Sequence, residues 1–132
     1  MSEAPLIAIV DDDELARDGI RELIESLGYA AATFTSAENF LQSALIARAT
    51  CLITDLQMPG QSGLELQEAL RSRGYQMPVI LVTAYPNENY RTRALSNGAV
   101  GFLSKPFDER WLMECLTDAI KIASQGRSRL PQ

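Results

Sequence analysis

The sequence predicts an α/β fold: one doubly wound, five-stranded parallel sheet with helices on both faces. Two observations carry this. Along the 132 residues, five short runs rich in apolar and β-branched side chains recur, and each is followed by a stretch with helical spacing or helix-start chemistry. Regular alternation of this kind implies parallel pairing through right-handed crossovers, because hairpins cannot join parallel strands. The runs are also apolar almost throughout instead of alternating, as strands covered on both faces must be.

The strands are expected at Leu6–Val10, 30–35, Cys51–Asp55, Val79–Thr83 and 100–104. A first helix over about 13–27 places Leu15, Ile20, Leu23, Ile24 and Leu27 on one side, and Gly28 stands where it should end. Ser36 is positioned to cap a short second helix. Ser62 and Glu65 have the S-x-x-E spacing of a capping box, opening a third helix that stops before Gly74. The fourth spans about 87–96 and is closed by Asn97-Gly98. The fifth starts after Lys105-Pro106-Phe107 and turns Leu112, Leu116, Ala119 and Ala123 toward the core, leaving 124–132 as a linker or frayed end.

With 46% apolar residues and no apolar run near the roughly 20 residues of a membrane span, the chain reads as one soluble domain with a single core. Met1-Ser-Glu-Ala-Pro5 lacks the basic and apolar regions of a signal peptide. The two cysteines match no metal-ligand spacing, which favours a cytoplasmic protein with free thiols. A net charge of −5 argues against a nucleic-acid surface within these residues, since backbone phosphates need clustered Lys and Arg.

In doubly wound sheets the ligand site lies beyond the carboxyl ends of the strands. The residues at those ends are Asp11 and Asp12, Asp55, Thr83 and Lys105. Three carboxylates brought together repel one another and call for a counter-cation. A hard divalent ion held by oxygen ligands answers that need, and Mg²⁺ suits a site offering few protein ligands. Lys105 adds a point charge that can pair with a carboxylate or phosphoryl oxygen, and Thr83 adds a hydroxyl donor. Each fragment also has a plainer reading. The acidic run 11–14 can serve only as a helix N-terminus favoured by the macrodipole, a role that Asp13 fits. Asp55-Leu-Gln-Met-Pro-Gly60 can be a strand-to-turn connection, and Lys105-Pro-Phe107 a helix-start turn. Their meeting on one edge of one sheet favours a chemical site over the separate plain readings.

Ile9-Val10-Asp11-Asp12-Asp13, Thr54-Asp55-Leu56-Gln57-Met58-Pro59-Gly60, Val82-Thr83-Ala84 and Lys105-Pro106-Phe107 resemble, in order, the defining motifs of response-regulator receiver domains, over about residues 5–124. The wording is most similar to receivers of the FixJ type, often joined to a helix-turn-helix domain. The resemblance implies a flavodoxin-like (βα)5 sheet of order 2-1-3-4-5, with a receiver domain over 1–124 and a linker or disordered tail over 125–132. It implies that Asp55 is the phospho-acceptor. Asp12, Asp55 and the Gln57 carbonyl would bind Mg²⁺ directly, Asp11 largely through water, and Mn²⁺ could substitute. Thr83 and Lys105 would contact the phosphoryl group, and Phe102 holds the place of a switch aromatic. The implied partner is a sensor histidine kinase or histidine phosphotransfer protein. The chain would catalyse only its own phosphorylation and dephosphorylation. It would form a homodimer on phosphorylation through the fourth helix, fifth strand and fifth helix, and control transcription without itself touching nucleic acid or membrane.

Rival classes fit less well. An aspartyl-nucleophile phosphatase needs a second acid two residues after the nucleophile, where this chain has Gln57. A dinucleotide-binding enzyme needs a glycine-rich first βα turn, and this one has no glycine. A degenerate receiver acting only as an interaction module is opposed by the presence of every expected active residue. Among the remaining side chains, Cys51 reads as core. Trp111 and Cys115, four residues apart and off the Leu112–Leu116 stripe, suggest a partner surface. Gln57 and Tyr85 fall where side chains can flank an acyl phosphate, and a bulky Tyr85 would obstruct the attacking water.

Overall fold

The computed structural model describes the backbone of residues 4–128 and the side chains of residues 4–125. In chain order the elements are β1 (Leu6–Val10), α1 (Glu14–Ser26), β2 (Ala30–Phe34), α2 (Ala37–Leu41), a short 3₁₀ helix (Ala44–Ala47), β3 (Cys51–Asp55), α3 (Gly63–Ser72), β4 (Val79–Thr83), α4 (Glu88–Ser96), β5 (Gly101–Ser104) and α5 (Glu109–Ser128). The strands pair in parallel in the order β2-β1-β3-β4-β5, as the resemblance implies.

The helix boundaries have local causes. Asp13, Ser36, Ser62 and Asn87 each accept a backbone N–H of the first turn of α1, α2, α3 and α4, satisfying donors that have no partner inside the helix. The capping box at Ser62 and Glu65 is complete, with both reciprocal hydrogen bonds formed. Gly28 and Gly98 adopt φ of 92° just beyond α1 and α4, a conformation that any side chain would strain.

Successive residues of each strand point to opposite faces, so the sheet divides the core into two layers. Ala8, Val10, Leu52 and Leu81 pack with Phe40, Leu66, Leu70 and Ala94 on the side covered by α2, α3 and α4. Ile7, Ile9, Ile53, Ile80 and Val82 pack with Ile20, Ile24, Leu112, Leu116 and Ala119 on the side covered by α1 and α5. Each fully buried Leu or Ile contributes about 1.5–3 kcal/mol, so this two-layer burial is the main force holding the strand ends in place.

Five details depart from the sequence reading. β2 ends at Phe34 and β5 begins at Gly101, each one residue inside the expected run. The 3₁₀ helix had no clear sequence signal. Leu15 is 83% exposed: at about 100° per residue it lies half a turn away from Ile24, so α1 buries only one of the two sides that its apolar residues mark. Ser124, expected to begin a linker, is inside α5, which continues to Ser128; the remainder of that expected tail, 129–132, lies outside the described residues. Among the described residues no helix is long and apolar enough to cross a membrane.

Candidate functional site

The site is built by register. β1 pairs Val10 with Thr54 of β3, so the next residues, Asp11 and Asp55, emerge side by side at the sheet edge. β3 in turn sets Asp55 against Val82, and β4 sets Thr83 against Ser104, which brings Thr83 and Lys105 to the same edge. Asp11 is 1% exposed and Asp55 8%, while Asp12 is open to solvent. One carboxylate oxygen from each of Asp11, Asp12 and Asp55 lies within 4.8 Å of the other two.

Lys105 bridges the two buried acids. Its Nζ donates to Asp11 Oδ2 at 2.9 Å and to Asp55 Oδ2 at 3.4 Å. The other oxygens accept from the backbone: Asp11 Oδ1 from Asp13 N–H at 2.9 Å, and Asp55 Oδ1 from Gln57 N–H at 3.4 Å. Burial pushes the Asp55 carboxyl above its ordinary value; the Lys105 ammonium pulls against this and the Asp11 charge adds to it. For Lys105, burial acts to lower the pKa, but the hydrogen bond and charge of Asp11 and the charge of Asp55 outweigh it and raise the pKa overall. One ammonium thus faces three close carboxylates, leaving negative charge uncompensated. Oxygen donors at this spacing fit a hard divalent cation, so the pocket can hold a metal.

Thr83 joins the cluster through Gln57. Its hydroxyl donates to Gln57 Oε1 at 3.1 Å and accepts from Tyr85 N–H at 3.0 Å, while the Lys105 N–H donates to the Thr83 carbonyl at 2.7 Å. The Tyr85 ring, expected to flank the acceptor, is 73% exposed. Phe102 stands apart from the cluster. It is partly buried against the α2–α3–α4 layer and borders a cleft of about 340 Å³ with Pro86, Asn87, Glu88, Arg91 and Ser104.

Three supporting residues escaped the sequence reading. Arg17, one turn into α1, donates from Nη1 to the Asp11 carbonyl at 2.9 Å and so ties the first helix to the site. Glu38 reaches from α2 to accept the Gln61 N–H at 3.0 Å, fixing the loop after β3, and this hydrogen bond holds its carboxyl below the ordinary value. Gly63 lets α3 approach the acceptor strand: a Cβ there would collide with the Asp55 carbonyl oxygen and sit 2.9 Å from Leu81 Cδ2. Only the last left a trace in the sequence, as a glycine opening a helix directly after its cap.

Comparison with known proteins agrees with this geometry. The profile of the response regulator receiver domain matches residues 7–117. The chain belongs to this family. It is 36% identical to the response regulator protein TodT of Pseudomonas putida over 129 residues, covering 98% of the chain and 57% of TodT. It is 37% identical to the transcriptional regulatory protein FixJ of Azorhizobium caulinodans over 128 residues, covering 96% of the chain and 61% of FixJ. The receiver therefore spans about three fifths of these curated relatives. Among solved structures, the response regulator StyR superposes with a TM-score of 0.88 at 35% identity, covering 96% of this chain and 64% of StyR. FixJ-N superposes with a TM-score of 0.82 at 32% identity, covering 91% of this chain and 96% of FixJ-N. The receiver shares the sheet order and helix arrangement of this fold, which is the flavodoxin-like (βα)5 sheet that the resemblance implies.

Proposed function

We propose that this receiver accepts a phosphoryl group on Asp55 from the phosphohistidine of a sensor histidine kinase or histidine phosphotransfer protein, and uses the change to control an output, transcription by analogy with FixJ. The observation that carries this is Asp55 itself, a mostly buried carboxylate at a strand end whose Oδ2 meets Lys105 at 3.4 Å and whose neighbours Asp11 and Asp12 supply further oxygen ligands. In the transfer, an Asp55 oxygen forms the new O–P bond while the P–N bond to the donor imidazole breaks. The protein's part is positioning and charge compensation. Lys105 is placed to follow the phosphoryl oxygens, releasing its hold on the carboxylates, and Thr83 to exchange Gln57 Oε1 for one of them. Asp12, Asp55 and the Gln57 carbonyl would hold Mg²⁺, or Mn²⁺ in its place, with Asp11 acting largely through water. The ion supplies Lewis-acid neutralisation of the crowded negative charge.

Phe102, beside the cleft at α4, is the proposed switch: movement of Thr83 toward the phosphoryl group makes room for the ring to turn, and the α4–β5–α5 face changes its association. Trp111 on α5 is 59% exposed, which suits an interface anchor on that face. The unit performing this is taken as residues 1–124, with α5 carrying the chain on to Ser128. The free thiols of Cys51 and Cys115 suit a cytoplasmic setting. The domain is not a turnover enzyme on this reading, since it acts on its own aspartate. Incubation with acetyl phosphate and Mg²⁺, followed by intact-mass measurement, tests the proposal. Wild type should gain one phosphoryl group, and Asp55→Asn or a sample with excess chelator should gain none. Uptake that survived either change would remove the acceptor or the metal from the mechanism.

A further inference from the structure

Two of the three clustered carboxylates have their side chains tied down. Asp11 accepts from Lys105 Nζ and Asp13 N–H, and Asp55 accepts from Lys105 Nζ and Gln57 N–H. Asp12 is exposed, and among the described residues its carboxylate accepts no hydrogen bond and joins no ion pair. Yet one of its oxygens lies within 4.8 Å of an oxygen from each of the other two. With nothing holding the side chain, that placement is inherited from the backbone.

The peptide joining Asp11 to Asp12 is planar, so fixing its carbonyl oxygen also fixes where the Asp12 Cα lies and how its side chain sets out. Arg17 Nη1 donates to that oxygen at 2.9 Å. Arg17 is itself anchored in α1, its N–H donating to the Asp13 carbonyl at 2.9 Å. The choice of partner is unusual for a guanidinium that reaches an acidic turn. Charge and the fork shape of arginine both favour a carboxylate. Among the described residues, however, Arg17 forms no ion pair and bonds a neutral carbonyl. A salt bridge would occupy ligand oxygens, whereas the carbonyl bond holds the turn and leaves them open.

We infer that Arg17 is a positioning residue of the cation site: through the Asp11 carbonyl it aims the Asp12 carboxylate at the ion. This rests on the reading of the acidic cluster as a divalent-cation site. Two effects of the guanidinium then oppose each other. Its charge repels a cation and its hydrogen bond places a ligand, so removing it raises affinity if charge alone matters and lowers affinity if position does.

The test is Mn²⁺ binding by the whole chain, followed through the electron paramagnetic resonance of the free ion. Arg17→Met keeps the stem and loses both charge and donors; it should bind Mn²⁺ about tenfold more weakly than wild type, the cost of losing a group that orients a metal ligand. Arg17→Lys keeps the charge, but its shorter stem draws the donor back from the carbonyl, so it too should bind more weakly than wild type. In Asp12→Ala the carboxylate that Arg17 places is gone, and adding Arg17→Met should then cost less than about twofold, which a general loosening of α1 would not produce. Equal or tighter binding by Arg17→Met, or a loss undiminished in the Asp12→Ala background, would overturn the assignment. If Arg17→Met failed to fold, Arg17→Lys would decide alone, since a role in charge only predicts wild-type affinity for it. A wild type that bound no Mn²⁺ would remove the cation site itself, a failure distinct from that of Arg17.

Discussion

Replacing Lys105 by Met keeps the aliphatic stem and removes the charge that bridges Asp11 and Asp55. Treated as unit charges at an effective dielectric near 20, each contact at 2.9 and 3.4 Å corresponds to about 5–6 kcal/mol of attraction. The ammonium's own desolvation cost offsets much of that. Truncating one partner of a buried ion pair costs about 3–5 kcal/mol in measured cases, because the remaining charge is left uncompensated. About a fifth of the Lys105 side chain reaches solvent, which argues for the low end, about 3 kcal/mol. With an unfolding entropy of about 2.1 cal/mol/K per residue, a loss of that size lowers the Tm of a 132-residue chain by about 10 °C. The assay is thermal unfolding by circular dichroism, first in chelator and then in about 10 mM Mg²⁺. Mg²⁺ should raise the Tm of both proteins by mass action, and should raise that of Lys105→Met more, because only there does the ion meet two buried carboxylates with no competing ammonium. The deficit should also shrink as pH falls into the acidic range, where Asp55, whose carboxyl burial pushes above its ordinary value, takes up a proton and the repulsion is relieved. A variant melting within about 2 °C of wild type in chelator, or an Mg²⁺ shift no larger than in wild type, would refute the charge account.

Three further outcomes are expected. Gly63→Ala drives a Cβ into the Asp55 carbonyl, and should destabilise the fold by about 1–3 kcal/mol and slow phosphoryl uptake; a fully stable, fully active variant would contradict that contact. Burial pushes the Cys51 thiol from 9.0 up to about 12, so the folded state keeps a proton that the unfolded chain releases; its contribution to stability is intact below pH 9 and is lost at up to about 1.4 kcal/mol per pH unit above it. Cys51→Ala should therefore show a flatter fall in stability between pH 9 and about 11 by urea unfolding, and an unchanged slope would show that the thiol does not titrate as its burial requires. Phosphorylated or beryllofluoride-treated wild type should self-associate more tightly in sedimentation, with a change in Trp111 fluorescence, and Phe102→Ala should blunt both; equal association of treated and untreated protein would eliminate the switch.

The parts of the fold that followed from sequence were those written in a local code. Ser62 and Glu65 announce α3 by a capping pair, Gly28 and Gly98 mark helix ends by the backbone they permit, and the strands by uninterrupted apolar runs. The five residues at the strand ends were legible for the same reason: once the strands are known to be parallel, the residues at or just beyond their carboxyl ends fall on one edge. Tertiary reach was harder to read. Nothing in the sequence near Glu38 tells that it crosses 23 residues to hold Gln61, and nothing near Gln67 tells that its amide spans to Ala94, 27 residues on. Leu15 misled because an apolar residue counts toward a stripe only in the right helical phase, and its phase was half a turn wrong.

The central claim is that Asp55 carries the phosphoryl group. Borohydride reduces an acyl phosphate to an alcohol and leaves an ordinary carboxylate untouched, so treatment after acetyl phosphate and Mg²⁺ converts the modified aspartate to homoserine. Tryptic cleavage after Arg48 and Arg71 isolates Asp55 as the sole aspartate of its peptide, while Asp11 and Asp12 fall in another. Fragmentation should find homoserine at position 55 and nowhere else. Homoserine at position 11 or 12, or its absence from a protein that had gained phosphoryl mass, would contradict the account.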